Sequence, residues 1–133
     1  PGFARLVLVP VSLICLGCLS ASARAQDPLG AGIDGEVAQR ASNYSVSLSA
    51  NGNRLAIGAH HDDGNGSESG RTRVYHWSGS AWLQLGADID GEAAEDHAGV
   101  SVALSADGNR VAIGADGNDG NGDGSGHVRV YHW

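Results

Sequence analysis

The chain repeats itself at a fixed distance of 56 residues. Residues 29–77 align with residues 85–133 without a gap, and by direct count 31 of these 49 positions carry the same amino acid. Both copies end in the run Arg-Val-Tyr-His-Trp. Repeats of this size usually form one supersecondary unit each, and each unit buries its apolar face by stacking on a neighbour. We therefore expect two similar stacked units rather than one mixed core.

Alternation of apolar and polar residues predicts short strands in each repeat. In the first copy these strands are expected at residues 44–49, 54–59, 72–77 and 82–85. A turn with an Asn-Gly centre, Asp-Gly in the second copy, separates the first two strands, and such turns tolerate the positive φ of a tight hairpin. No segment keeps a period of 3.6 residues, so the sequence predicts an all-β fold.

A single four-stranded antiparallel sheet of this size cannot bury both of its faces. Sheets of this kind stack radially as the blades of a β-propeller, and we predict that the tandem 56-residue repeats are such blades. Residues 26–84 would form repeat 1, and residues 85–133 a truncated repeat 2. Because a propeller has about four to eight blades, we expect a fragment of a larger propeller with further blades. A small sandwich made of both copies is the alternative.

Residues 1–25 have the pattern of a secretory signal peptide. Arg5 precedes an apolar run at residues 6–19, and Ala23-Arg24-Ala25 supplies the small residues that a signal peptidase reads. This run is interrupted by Pro10 and is shorter than the roughly 20 residues that span a bilayer. We therefore expect a secreted or surface-exposed protein with no stable transmembrane segment after cleavage, and with both cysteines removed.

The charge of the chain and its lack of catalytic motifs narrow the function. With 15 acidic residues against 8 Lys and Arg, the net charge is -7, and an acidic chain has little attraction for a phosphate backbone. No nucleic-acid partner is expected. No nucleophile motif and no glycine-rich loop before a helix is found, so we predict a non-catalytic protein.

Three stretches of the second copy, at residues 98–102, 110–115 and 126–131, resemble the FG-GAP repeat of integrin-α-type N-terminal propellers. Ala98-Gly99 stands in place of the Phe-Gly pair of that repeat, and Asp116 in place of its Pro. Residues 104–110 also resemble the Ser-x-Asp-Gly hairpin of WD40-like and TolB-like propellers. Both resemblances imply a β-propeller, and the first also implies extracellular recognition of a ligand or of matrix.

The FG-GAP resemblance further implies calcium in the hairpin before the Gly-Ala strand. That site needs several carboxylates, because calcium takes six to eight oxygen ligands. Of the matching positions at 47, 49, 51, 103, 105 and 107, only Asp107 supplies a carboxylate. We therefore expect a plain hairpin there.

A different loop holds a better cluster of oxygen ligands. Asp119, Asn121 and Asp123 fit the Asp-x-Asn-x-Asp-Gly start of a calcium loop, and the first copy retains Asp63 and Asn65. The bidentate acid that closes such loops is missing, so calcium would bind weakly, with a dissociation constant of about 1 mM or more. The alternative is a flexible acidic connection between strands.

The pair His60-His61 lies at a strand end beside two aspartates, where a transition-metal site is conceivable. The second copy has Asp116-Gly117 at this place, which argues against a repeated role.

The two repeated tryptophans, Trp77 and Trp133, end equivalent strands and are expected to be mostly buried.

Together these features predict a secreted or surface-exposed repeat module that binds an extracellular protein or glycan. Its variable loops, at residues 37–43, 60–71, 93–99 and 116–127, would form the recognition surface. The alternative function is the propeller portion of a secreted hydrolase or lyase whose catalytic residues lie outside this chain.

Overall fold

A computed structural model describes residues 26–35 and 45–133. The predicted signal peptide at residues 1–25 and the predicted loop at 37–43 lie outside the described residues. Within the described ranges the chain is all-β, as predicted, and contains no helix long and apolar enough to cross a membrane. The strands are β1 (Ser45–Leu48), β2 (Arg54–Ala59), β3 (Arg71–Trp77), β4 (Trp82–Gln84), β5 (Ile89–Asp90), β6 (Ser101–Leu104), β7 (Arg110–Ala115) and β8 (His127–His132).

These strands form two antiparallel sheets, and neither sheet closes on itself within the described residues. The first has the order β1-β2-β3-β4, and β5 pairs with the start of β3. The second has the order β6-β7-β8. Ser45 pairs with Gly58 in the first sheet, and Ser101 pairs with Gly114 in the second. All pairings of the second sheet lie 56 residues after a pairing of the first, so alternation in the sequence predicted these strands correctly.

Each sheet has two faces, because successive side chains of a strand point to opposite sides. We call the face that carries Ala56 and Val74 the front face, and the face that carries Ile57 and Tyr75 the back face. In the second sheet, the residues 56 positions later define the same two faces. The front face of the first sheet packs on the back face of the second, and the core cluster consists of Ala56, Val74, Ala98, Val111, Ile113 and Ala115.

This arrangement gives equivalent residues opposite surroundings. Val74 on the covered front face is 2% exposed, whereas its counterpart Val130 on the open front face is 64% exposed. On the back faces, Val46 of the first sheet is exposed, whereas Val102 is half-buried and packs against the core. The second sheet therefore has an open front face, whereas the back face of the first sheet is open only along β1, since Ile57 and Tyr75 on that face are buried.

The hairpins between β1 and β2 and between β6 and β7 lie at one end of the sheets. Both have the same internal hydrogen-bond pattern. The Ser105 hydroxyl donates to Asp107 Oδ1 at 2.6 Å, and the Asn109 amide donates to the same oxygen at 3.0 Å. These two bonds hold the pKa of Asp107 below its ordinary value. Asn51 accepts the equivalent two bonds in the first copy without a charge.

The prediction that both repeated tryptophans are mostly buried is wrong for Trp133, which is 40% exposed. The Arg54 guanidinium lies 5.6 Å from the centre of its ring and covers part of it. Trp77 is half-buried and packs against Trp82, with ring centres 5.5 Å apart. The equivalent sequence positions differ because each ring lies at a strand end, where different neighbours reach it.

We expect Val74→Ala to lower the free energy of unfolding by about 2 kcal/mol, because two buried methyl groups are lost from the core. Val130→Ala, the same change at the equivalent position, should alter it by less than about 0.5 kcal/mol, because Val130 lies on an open face. Urea unfolding followed by tryptophan fluorescence measures both values. Equal losses in the two variants would contradict the front-on-back packing.

Candidate functional site

Three segments meet at the end of the sheets opposite the hairpins, which we call the loop end. Residues 60–70 join β2 to β3, residues 91–100 join β5 to β6, and residues 116–126 join β7 to β8. The second segment runs beside the first through backbone hydrogen bonds from Glu95 to Ser67 at 2.8 Å and from His97 to Glu68 at 3.1 Å. The predicted recognition loops that the structure describes therefore lie together.

Asp96 ties the second of these segments to the third. Its carboxylate is 3% exposed and accepts the backbone amides of Glu92 and Ala93, both at 2.9 Å. Its other oxygen accepts the Asn118 side-chain amide at 3.2 Å. A buried carboxylate with three donors is a structural anchor, and it fixes the position of the neighbouring His97.

The two loops that contain the predicted calcium ligands have the same internal hydrogen bond. Asp63 Oδ1 accepts the Glu68 amide at 2.8 Å, and Asp119 Oδ1 accepts the Gly124 amide at 2.7 Å. Each carboxylate therefore closes its own loop by a hydrogen bond across five residues. The Asn65 side chain donates to the carbonyl oxygens of residues 91 and 92, both at 2.9 Å, and thereby holds its loop against the segment after β5.

Asn121 and Asp123 are exposed. Asp119 and Asp123 line an open hollow at the loop end, together with Glu68, Glu95 and His97. Two acids of the predicted calcium loop, Asp119 and Asp123, are thus exposed to solvent. Calcium binding by Asp119, Asn121 and Asp123, or by Asp63 and Asn65, stays a prediction.

One group of three potential metal-binding side chains stands out among the described residues, and it is formed by His61, Glu68 and His97. Glu68 Oε2 lies 3.5 Å from His61 Nδ1 and 3.3 Å from His97 Nε2. The three ligand atoms lie within 4.8 Å of one another. All three residues are half-buried, so they remain accessible to an ion from the solvent.

Two further residues complete this cluster. Asp116 Oδ1 lies 3.3 Å from His97 Nδ1, the ring nitrogen that faces away from Glu68. The His60 ring lies against the His61 ring, with centres 3.9 Å apart. Burial lowers the pKa of His60, and the nearby His61 and His97 lower it further, against the opposing effect of Asp116 and Glu68.

The backbone at this cluster has an uncommon conformation. Glu68, Glu95 and His97 have φ angles of 51°, 65° and 56°, and they are the three non-glycine residues with positive φ among the described residues. Such angles cost free energy, and residues that adopt them often cluster at functional sites. At the loop end, these three residues therefore have a backbone conformation that residues other than glycine seldom adopt.

The sequence pattern pointed to His60 and His61 as a conceivable metal site but not to Glu68 and His97. Position 41, the counterpart of His97, is Ala, and position 124, the counterpart of Glu68, is Gly. The sequence signal for Glu68 and His97 is therefore that neither residue recurs at the equivalent position of the other copy. A repeated residue serves both units, whereas an unrepeated one serves a single place.

No family model matches the chain, and no curated protein matches it. The resemblance to FG-GAP propellers therefore stays a prediction.

We expect Glu95→Gly to raise the free energy of unfolding by about 0.5 to 1 kcal/mol. Glycine removes the strain of the left-handed backbone, which costs roughly 1–2 kcal/mol, although it also raises the entropy of the unfolded chain. Glu95→Ala is the matched control, because it removes the same side chain and keeps the strain. If the two variants unfold at the same urea concentration, the strain at residue 95 is absent in solution.

Proposed function

We propose that this chain belongs to a secreted, propeller-type repeat protein that binds an extracellular partner without catalysis. The observation that carries the proposal is the packing of a front face on a back face. An interface between two different faces is heterologous, and each unit that it adds leaves one face of each kind open. Stacking of this kind gives a ring where the rotation between units closes, as in a propeller, and an open array where it does not.

The open front face carries the residues that the covered front face buries. Val128 and Val130 are exposed on the open front face, and their counterparts Thr72 and Val74 are almost fully buried. On the back face of the first sheet, Val46 and Leu48 of β1 are exposed, although Ile57 and Tyr75 of the same face are buried. A further sheet with the same pattern would cover these residues, which supports the expectation of additional blades.

The loop end is the proposed recognition surface, because it combines a repeated scaffold with unrepeated side chains. The sheets and the internal hydrogen bonds of the loops recur after 56 residues. In contrast, His60, His61 and Glu68 are replaced by Asp116, Gly117 and Gly124 in the second copy. Variable loops on a rigid scaffold are the usual basis of recognition in repeat proteins.

Charge indicates which ligand suits this surface. Glu68, Glu95, Asp119 and Asp123 line the hollow at the loop end, and the chain as a whole carries a net charge of -7. Opposite charge speeds association and excludes wrong partners. Of the predicted ligands, a protein or a glycan, this favours a protein with exposed Lys and Arg side chains, and among glycans it disfavours acidic ones such as sulfated or sialylated chains.

To test the stacking, we would compare the wild-type chain with Val46→Glu and Val130→Glu by sedimentation velocity over a range of concentrations. The wild type should self-associate, and each variant alone should do so much less, because a buried charge disrupts the interface. An equimolar mixture of the two variants should form a dimer, since it offers one intact front face and one intact back face. Ser80→Glu, at an exposed turn, is the control.

A wild-type chain that stays monomeric at every concentration would contradict the stacking, as would variants that associate as strongly as the wild type.

To test recognition, the chain would be applied to an array of basic, neutral and acidic peptides. We expect binding to basic peptides that weakens about tenfold or more in the double variant Asp119→Asn/Asp123→Asn, because two charges of the hollow are removed. Asp107→Asn, which removes one charge at the opposite end and reproduces Asn51 of the first copy, is the control. If each charge removed weakens binding equally at the two ends of the sheets, the attraction is to net charge alone, which would contradict a recognition surface at the loop end.

A further inference from the structure

The cluster of His61, Glu68 and His97 has the composition of a metal site that neither the repeats nor the resemblance assigns. Two imidazole rings and one carboxylate converge from two separate segments of the loop end. We propose that these three side chains bind a divalent transition-metal ion, for which zinc is the natural probe. The proposal concerns the metal alone and holds whether or not the loop end binds a protein.

The distances within the cluster suit a tetrahedral ion. Zinc lies about 2.0–2.1 Å from nitrogen and oxygen ligands, so two ligands of a tetrahedral site are about 3.3 Å apart. Glu68 Oε2 lies 3.3 Å from His97 Nε2 and 3.5 Å from His61 Nδ1. The three ligand atoms lie within 4.8 Å of one another, so the two imidazole rings would move closer together around the ion, with the fourth position left to water.

Asp116 supplies the outer contact that such sites usually contain. A metal-binding histidine commonly uses its second ring nitrogen to donate to a carboxylate, which fixes the ring and raises its basicity. Asp116 Oδ1 lies 3.3 Å from His97 Nδ1, while Nε2 of the same ring faces Glu68. The His97 ring is therefore placed between a proposed metal ligand and an outer carboxylate.

The ligand types distinguish this site from the predicted calcium loop. Imidazole suits zinc, copper and nickel, whereas calcium takes oxygen ligands. Asp119, Asn121 and Asp123 offer only oxygen side-chain ligands to a divalent cation, and they belong to the third segment of the loop end. The two sites would therefore respond to different ions.

The backbone directs two of the three ligands before any ion binds. The Glu68 amide donates to Asp63 Oδ1 at 2.8 Å, and the His97 amide donates to the Glu68 carbonyl at 3.1 Å. These bonds hold both residues at positive φ. A bound ion would then join the loop after β2 to the segment after β5, and so fix the two sides of the hollow relative to each other.

Isothermal titration of the chain with zinc tests the proposal. We expect one ion per chain, and a loss of affinity of at least about a hundredfold in His61→Ala, Glu68→Gln and His97→Asn, more than the loss of an outer contact causes. Asn is chosen at position 97 because it tolerates positive φ. His132→Ala, at an exposed histidine outside the cluster, should bind zinc as the wild type does.

Asp116→Asn separates positioning from ligation. It should weaken zinc binding by about 10- to 100-fold and retain one ion per chain. A second measurement needs no variant. Cobalt(II) added to the wild-type chain should give the visible absorption of a tetrahedral site, and zinc should remove it.

Four results would overturn the proposal. The first is that the wild type binds no zinc. The second is that the cluster variants bind zinc as tightly as His132→Ala does. The third is that zinc leaves the imidazole NMR signals of His61 and His97 in the wild type unchanged, a readout that does not depend on whether any variant folds. Calcium that displaces zinc at equal concentration would likewise contradict a site built on imidazole.

Discussion

The close contact between Gly58 of β2 and the backbone of Gly99 governs the rest of the structure. A Cβ atom at Gly58 would overlap the Gly99 carbonyl, so any other residue would push the second sheet away. Ser45, beside Gly58 on the same face, donates to that carbonyl at 2.7 Å. Gly99 itself has a φ of 90°, a conformation that glycine adopts at little cost. The front face can therefore meet the back face at close range.

That contact also determines the geometry of the loop end. Gly99 ends the segment that carries Asp96 and His97, and the Ala98 amide next to it donates to the Ser69 carbonyl at 2.9 Å. Because sheet packing and this backbone ladder share the same few residues, the position of His97 relative to Glu68 follows from how the sheets stack. A change that separates the sheets would disperse the cluster even though no cluster residue is altered.

Sequence patterns predicted the local structure well and the long-range contacts poorly. The strands follow from alternation, and the second sheet follows from the first by the offset of 56 residues. Burial does not follow in the same way, because Val74 and Val130 have the same neighbours in sequence and opposite surroundings in the fold. The same holds for Trp133, which is 40% exposed and contacts Arg54 of the first sheet, whereas its counterpart Trp77 packs against Trp82.

The contacts within the candidate site were even less predictable from the sequence. His61 and His97 are 36 positions apart, and only the packing of the segment after β5 along the first loop brings them together. No sequence motif predicts contact between two residues so far apart. The residues of the calcium-like loops, in contrast, are close together in the sequence and therefore match a short motif. Those local residues turn out to close their own loops through hydrogen bonds to backbone amides, which is what short polar side chains in tight turns commonly do.

Comparison of the two copies distinguishes the residues that support the fold from those that form the candidate site. Asp63 and Asp119 are equivalent and make the same internal bond, so both support the fold of their own loops. His60 and Asp116 are also equivalent in position but differ in chemistry, and both face the cluster through His61 and His97. The first copy supplies His61 and Glu68, the second supplies His97 and Asp116, and the cluster exists only at the boundary where they meet. A further unit stacked on either open face would reproduce the sheets and hairpins, but it would reproduce the metal cluster only if it also carried these unrepeated residues.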